Sequence, residues 1–262
     1  MQTLASSEFK NCCATLYEDK ALQFLLGPSL HPGGLRLTRR LGEKIGLFST
    51  DTVLDAACGL GESTQFLARE FGCRVFGLDL SRRLANTAAS SHNGGNALFL
   101  VGDGEHLPLR EEAVTAAISE CSLCLMPESR KGLGEIFRVL GPNGRLGVTD
   151  IAIDGPLPAE LEDTLMRFLC ISNEISWSEY PSVVEAEGFD KVEVTDESSG
   201  LSQLLESIKK RLLLAEILSA VGKLSIGTAQ LDKAKHLVSL AKTAVEQGSL
   251  RYAMITAQKP SA

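Results

Sequence analysis

TVLDAACGLGEST, residues 52–64, joins an apolar run to a glycine turn and the start of a helix. An apolar run this short, ending at Asp55, reads as a buried strand. Cys58-Gly59-Leu60-Gly61 reads as the turn, because glycine lets backbone pass close to a ligand. ESTQFLAREFG continues as a helix, with Gly72 as its C-terminal stop. A helix start at this place favours a negatively charged group. Parallel sheets bind ligands in the crevice at the carboxyl ends of their strands.

The same rhythm continues in both directions. CRVFGLDLS reads as a second strand, ALFLVGDG a third, VTAAISECS a fourth, GRLGVTDI a fifth after the turn GPNG, KVEVTDES a sixth and RYAMITAQKP a last one. RRLANTAASSH and residues 128–140, 158–171 and 178–187 read as helices. Alternating strands and helices imply βαβ units and a parallel sheet. Upstream, residues 8–26 read as one amphipathic helix, broken by GPSLHPGG, with another helix over about 34–46. Residues 200–222 and 228–247 read as two long helices. The expected fold is α/β, Rossmann-like and doubly wound, with a mainly parallel seven-stranded sheet. Residues 1–46 form an N-terminal helical cap, and 47–262 the main domain. A helical insertion over about 200–247 precedes the last strand, and no flexible linker sets it apart.

The chain has 262 residues and a net charge of −7, so a general attraction to nucleic acid is excluded. Arg39-Arg40 and Lys209-Lys210-Arg211 read as solvated helix faces. MQTLASSEFKNCC has no charged segment followed by an apolar one, so no signal peptide is read there. No apolar stretch reaches the ~18 residues that span a bilayer. Neither nucleic acid nor membrane is an expected partner, and the oligomeric state stays open. The seven cysteines, an odd number, fit reduced thiols in a cytoplasmic protein rather than a disulfide framework.

A dinucleotide fold would carry Gly-x-Gly-x-x-Gly. Here Thr64 stands at the last glycine's place, and Asp55 before the turn would repel a pyrophosphate while suiting an amine. Eighteen residues beyond Gly61, the second strand ends in Asp79, which can accept from both hydroxyls of a ribose. The pattern resembles the class I S-adenosylmethionine-dependent methyltransferases. VGDGEHLPL and FRVLGPNGRLGVTD match further segments of that superfamily, in the same order. The resemblance implies S-adenosyl-L-methionine as cofactor and Asp103 as partner of its adenine amino group. It extends the cofactor set to Asp55, Ala57, Gly59, Gly61, Asp79, Leu80, Gly104, Glu105 and Glu120. The stretch YEDKALQFLLGPSLHPGGLRLT resembles the cap of small-molecule methyltransferases. It adds Tyr17, His31 and Thr38, with Gly33 and Gly34 in the turn.

SECSLCLMPESRKGLGEIFRVLGPNGRLGVTDI and CISNEISWSEYPSVVEAEGF resemble the arsenite methyltransferases over about residues 118–189. That resemblance implies Cys121 and Cys170 as thiolate ligands of trivalent arsenic, which is soft and prefers sulfur. It makes the small-molecule or metalloid substrate a thiol-bound one, with Cys12 and Cys13 as sources of a third ligand. Cys124 is the less certain thiol, because an offset of three from Cys121 points elsewhere unless the chain turns sharply. The adjacent Cys12-Cys13 replaces the family's upstream cysteine pattern, and no cysteine follows Cys170. A zinc site at Cys121-x-x-Cys124 would need two more ligands, and no second CxxC occurs. Arsenite methylation is the first expectation. An organic acceptor for O-, N-, S- or C-methylation, with Glu120, Tyr17 or His31 as base, is the second. A non-catalytic thiol-based binder is the third.

Overall fold

Alternation along the central strands places the sheet between two layers of core. The computed structural model describes residues 6–92, 95–169, 171, 175–221, 223–224 and 226–261. In β1 (Thr52–Ala56), Val53 packs in one apolar cluster, while Leu54 and Ala56 pack in another. β4 (Val114–Glu120) behaves likewise, with Ala116 and Ile118 on one side and Ala117 on the other. Successive side chains of a strand point to opposite faces, so a run that is apolar throughout must be covered twice. One cover includes α3 (Gly34–Lys44) and α4 (Glu62–Glu70), through Leu37, Leu41, Leu67 and Ala68. The opposite cover includes α6 (Ser129–Val139) and α8 (Tyr180–Ala186), through Leu133, Ile136, Tyr180, Val183 and Val184.

The remaining strands are β2 (Arg74–Asp79), β3 (Ala97–Val101), β5 (Leu140–Ile153), β6 (Asp190–Asp196) and β7 (Leu250–Gln258). The sheet has seven strands in the order β3-β2-β1-β4-β5-β7-β6. β7 runs antiparallel to both β5 and β6, and the pairs among β1 to β5 are parallel. The expected fold class is the observed one. α5 (Arg82–Ser91) follows β2 and α7 (Ala159–Phe168) follows β5. Between β6 and β7 lie α9 (Ser198–Ala220) and α10 (Thr228–Glu246), which pack on each other through Leu212, Ala215 and Leu231. No helix of the described residues is long and apolar enough to cross a membrane.

Two local readings change. The helix expected over 8–26 is two helices, α1 (Ser6–Tyr17) and α2 (Lys20–Leu26). Asp19 is the cause: its carboxylate accepts from the backbone N–H groups of Ala21 and Leu22 and starts a new helix. The GPNG segment is part of β5 rather than a turn before it. The register with β4 shifts between Val114 and Ala116, so the segment forms an irregularity within the strand.

The β1–α4 turn needs left-handed backbone at Ala57 (φ 64°), Gly59 (φ 54°) and Gly61 (φ 80°). A Cβ on Gly61 would lie 2.6 Å from Phe99 Cε1 and 2.8 Å from Ala88 Cβ. Gly95 has a similar φ of 86°, but nothing among the described residues lies within 4 Å of that position. Gly95→Ala should therefore cost about 1 kcal/mol of backbone strain alone. Gly61→Ala should cost about 2 kcal/mol more, because overpacking adds to the strain. Urea unfolding of both variants checks this, and equal losses would contradict the close packing at Gly61.

Candidate functional site

The carboxyl ends of β1, β2 and β4 and the loop after β3 open on one cavity, closed from the other side by α1 and the loop after α2. Asp55, Ala57, Gly59, Asp79, Leu80, Asp103, Gly104, Glu120 and Cys121 line it from the sheet. Lys10, Cys13, Ala14, Tyr17, Ser29, Leu30 and His31 line it from the N-terminal helices and loop. Most of the expected site residues thus meet in one place. Gly61 and Glu105 support it from behind: Gly61 shapes the turn, and Glu105 is fully buried. Thr38 is also fully buried, one layer beneath the wall. Cys12 is exposed and does not line the cavity. Cys170 lies outside the described residues.

Each acidic group is held by a different set of donors. The Thr64 hydroxyl donates to Asp55 Oδ2 at 2.5 Å, tying the end of β1 to the first turn of α4. Burial, with Glu120 and Asp79 as nearby like charges, pushes the Asp55 carboxyl up to about 7. Gly59 N–H donates to Asp79 Oδ2 and Ser81 N–H to Oδ1, both at 2.8 Å. Burial still raises the Asp79 carboxyl above its ordinary range. Asp103 moves the other way. Burial works to raise it, but the Lys10 ammonium at 2.8 Å and the Glu105 N–H at 2.9 Å hold it low. Lys10 also pairs with Glu105 Oε2, and Glu105 Oε1 accepts from Glu128 N–H at 2.8 Å.

A second network lies at the end of β4. The Thr38 hydroxyl sits 3.1 and 3.0 Å from the two Glu120 oxygens. His31 Nδ1 is 3.0 Å from the Pro32 carbonyl, which can only accept, so this nitrogen carries the proton. His31 Nε2 is the nitrogen that faces α4 and the end of β4. It lies 3.2 Å from Ser63 Oγ and 3.5 Å from Glu120 Oε2. A basic nitrogen beside a carboxylate, opening on a cavity, can take a proton and stabilise the resulting imidazolium.

Sequence reading missed two of these partners, Lys10 and Ser63. Lys10 carries no motif, and only the approach of α1 to β3 reveals it. Ser63 is an ordinary helix residue until α3 and α4 pack together and set it 3.3 Å from the expected Thr38. Cys124 is also repositioned. Cys121 has a left-handed φ of 54°, and a 3-10 turn follows at Leu123–Leu125. The chain does turn sharply, and it brings Cys124 back beside Cys121 and Asp150.

Comparison with known proteins agrees with this architecture. Residues 54–148 match a family model described as a methyltransferase domain. The chain is 31% identical over 176 residues to methyltransferase GfsG of Streptomyces halstedii, covering 64% of this chain and 63% of that one. It is 28% identical over 232 residues to O-methyltransferase cnsE of Penicillium expansum, covering 86% and 78%. It is 29% identical over 159 residues to an arsenite methyltransferase of Halobacterium salinarum, covering 57% and 40%. Among solved structures, a Haemonchus contortus phosphoethanolamine N-methyltransferase 2 with S-adenosyl-L-methionine matches with TM-score 0.82. Identity is 16%, over 99% of this chain and 61% of that one. The [4+2]-cyclase SpnF matches with TM-score 0.78 and 22% identity, over 99% and 98%. The chain spans less than two thirds of the length of the Streptomyces relative, at 63%, and of the phosphoethanolamine enzyme, at 61%. The chain carries the α/β Rossmann-like methyltransferase fold, a seven-stranded mixed sheet with an antiparallel β7, and its residues 54–148 resemble a methyltransferase domain.

Proposed function

We propose that this protein transfers a methyl group from S-adenosyl-L-methionine to a hydroxyl of an organic small molecule. The observation that carries this reading is the meeting, in one cavity, of three separately held aspartates with the His31–Glu120 pair. Asp55 receives the cofactor's α-amino group, Asp79 its ribose hydroxyls and Asp103 its adenine amino group. The backbone of Ala57, Gly59, Leu80 and Gly104 shapes the walls between them, and Tyr17 covers the methionine end. Glu105 fixes the loop that carries Asp103, and Thr38 fixes Glu120. His31 Nε2 takes the proton of the acceptor hydroxyl. The freed oxygen attacks the sulfonium methyl in line, the carbon–sulfur bond breaks, and S-adenosylhomocysteine leaves. Glu120 stabilises the imidazolium that holds the proton. Leu30, Leu125, Met126 and Pro127 add apolar lining to the same cavity, which suits a carbon-rich ligand.

Trivalent arsenic, the first expectation from sequence, gives way to the organic acceptor. The O-methyltransferase cnsE aligns over 86% of the chain, whereas the arsenite methyltransferase aligns over 57%. Of the expected arsenic ligands, Cys13 and Cys121 line the cavity, whereas Cys12 is exposed. Release of S-adenosylhomocysteine, followed with a panel of phenolic and enolic acceptors and separately with arsenite plus glutathione, separates the two. Turnover with an organic hydroxyl and no metalloid is expected; turnover with arsenite alone would overturn the proposal.

Asp55 sets a pH dependence. With its carboxyl at about 7, it is mostly neutral at lower pH and cannot pair with the α-amino group. S-adenosylmethionine affinity should climb about 10-fold per pH unit as pH rises to 7, then level off. It should fall again once the cofactor's amino group loses its proton, near about 8. Without ligand, the fold loses stability as pH rises between its ordinary value of 3.8 and about 7. In that window the folded state holds a proton that the unfolded chain has released. Calorimetry across this range checks the slope, which Asp55→Asn should abolish; a flat wild-type profile would count against the assignment.

His31→Gln should lower kcat about 100-fold, the ordinary worth of a general base, and leave S-adenosylhomocysteine affinity unchanged. A loss confined to cofactor affinity would instead place His31 on the methionine moiety.

A further inference from the structure

We infer that Cys121, Cys124 and Asp150 form a binding site for one thiophilic divalent cation of the zinc or cadmium type, at the edge of the cavity. This inference stands apart from the choice of methyl acceptor. The two sulfurs and a carboxylate oxygen of Asp150 all lie within 4.8 Å of one another. Ligands about 2.3 Å from a tetrahedral ion sit roughly 3.8 Å apart. The three atoms therefore need to close by about an ångström at most to share one ion.

The fold presents this set deliberately in the mechanical sense: three separate elements hold it. Cys121 N–H donates to the Thr149 carbonyl at 2.6 Å, which fixes the left-handed residue at the end of β4. The 3-10 turn then returns the chain, and Cys124 N–H donates to Asp150 Oδ2 at 2.8 Å. Asp150, in β5, accepts also from Ile151 N–H at 2.9 Å and from the Tyr180 hydroxyl at 3.2 Å. Such outer donors orient a ligating carboxylate and leave lone pairs on its oxygens for an ion.

The cluster gathers acids in a dry place. Asp150 is fully buried and Cys124 is 6% exposed. No ion pair to Asp150 occurs among the described residues. The Cys121 contact and burial raise the Cys124 thiol well above its ordinary range, and burial pushes Asp150 up to about 6. A divalent cation reverses both effects, because it favours the deprotonated forms. Two sulfurs select a soft ion over magnesium or calcium. Cys121 lines the cavity, so three protein ligands at its edge would leave one coordination position to a small molecule or water, as in zinc sites that keep one place for a ligand.

The test is titration of the reduced, full-length chain with Cd2+, read by the ultraviolet cadmium–thiolate band, and with Zn2+ by competition. One ion per chain is expected. Cys121→Ser and Cys124→Ser should each remove the band, and Cys12→Ser should keep it. Tyr180→Phe should weaken binding about 10-fold, as loss of an outer partner does. If Cys124→Ser does not fold by circular dichroism, Cys121→Ser, on the cavity wall, still decides. No cadmium binding by the folded wild type, or wild-type binding by the Cys121→Ser/Cys124→Ser chain, would overturn the site. S-adenosylhomocysteine binding is measured on the same samples. Its failure would tell against the methyl-transfer reading while leaving the metal result intact.

Discussion

The hydrogen bond from Thr64 to Asp55 joins the end of a buried strand to the first turn of the helix that follows. Around it the chain must reverse within a few residues, and it does so with left-handed backbone at Ala57, Gly59 and Gly61. The neighbouring strand must also come close. Gly77 in β2 allows this, since a Cβ there would lie 2.7 Å from Thr64 Oγ1 and 3.0 Å from Cys58 Sγ. With β1 and β2 so placed, Asp79 reaches back to the Gly59 N–H across the turn. The bond that holds Asp55 thus also sets the distance between the first two acidic groups of the cavity. A change in any of these residues is felt at the ligand-facing edge before it is felt in the core.

Electrostatics explains why the N-terminal helices matter. The sheet edge gathers Asp55, Asp79, Asp103 and Glu120 around one cavity, and carboxylates so grouped raise one another's pKa. Each is relieved in its own way. Asp55 keeps a proton to about 7, Asp79 accepts two backbone N–H groups, and Asp103 has Lys10. Lys10 belongs to α1, so the helix that covers the cavity also supplies its cation. A ligand with an amine and a sulfonium supplies further positive charge where Asp55 and Glu120 lie. The acidic edge is therefore costly alone and favourable when a cationic ligand is bound.

The strand and helix order was legible because buried parallel strands are apolar throughout and each is followed by a helix with a clear stop. TVLDAACGLGEST announced the turn and its aspartate, and CRVFGLDLS announced the second. The break between α1 and α2 was written at Asp19, but its N-cap signal lay inside a run whose apolar residues kept helical spacing. Contacts between distant segments left no trace: nothing in SSEFKNCC marks Lys10 as the partner of Asp103. Ser63 is likewise silent, since its meeting with Thr38 and His31 depends on how α3 packs on α4. Spacing within one element can be read along the chain, whereas pairing between elements needs the fold.

ISECSLCLMP shows that limit at its sharpest. On an extended strand, residues three apart face opposite sides, which separates Cys121 from Cys124. Continued helix would bring them to one face, but the strand forbids a helix through Glu120. The structure takes neither course. A left-handed residue at Cys121 ends the strand abruptly, and a single 3-10 turn restores the offset of three to one side. The turn is held from outside by Thr149 and Asp150, both in β5, and Asp150 is itself held by Tyr180 in α8. The geometry of the CxxC pair is thus decided by the neighbouring strand. The third acid of the cluster comes from that same strand, which is why the pair and the carboxylate are brought together by one feature of the sheet, the β4–β5 register.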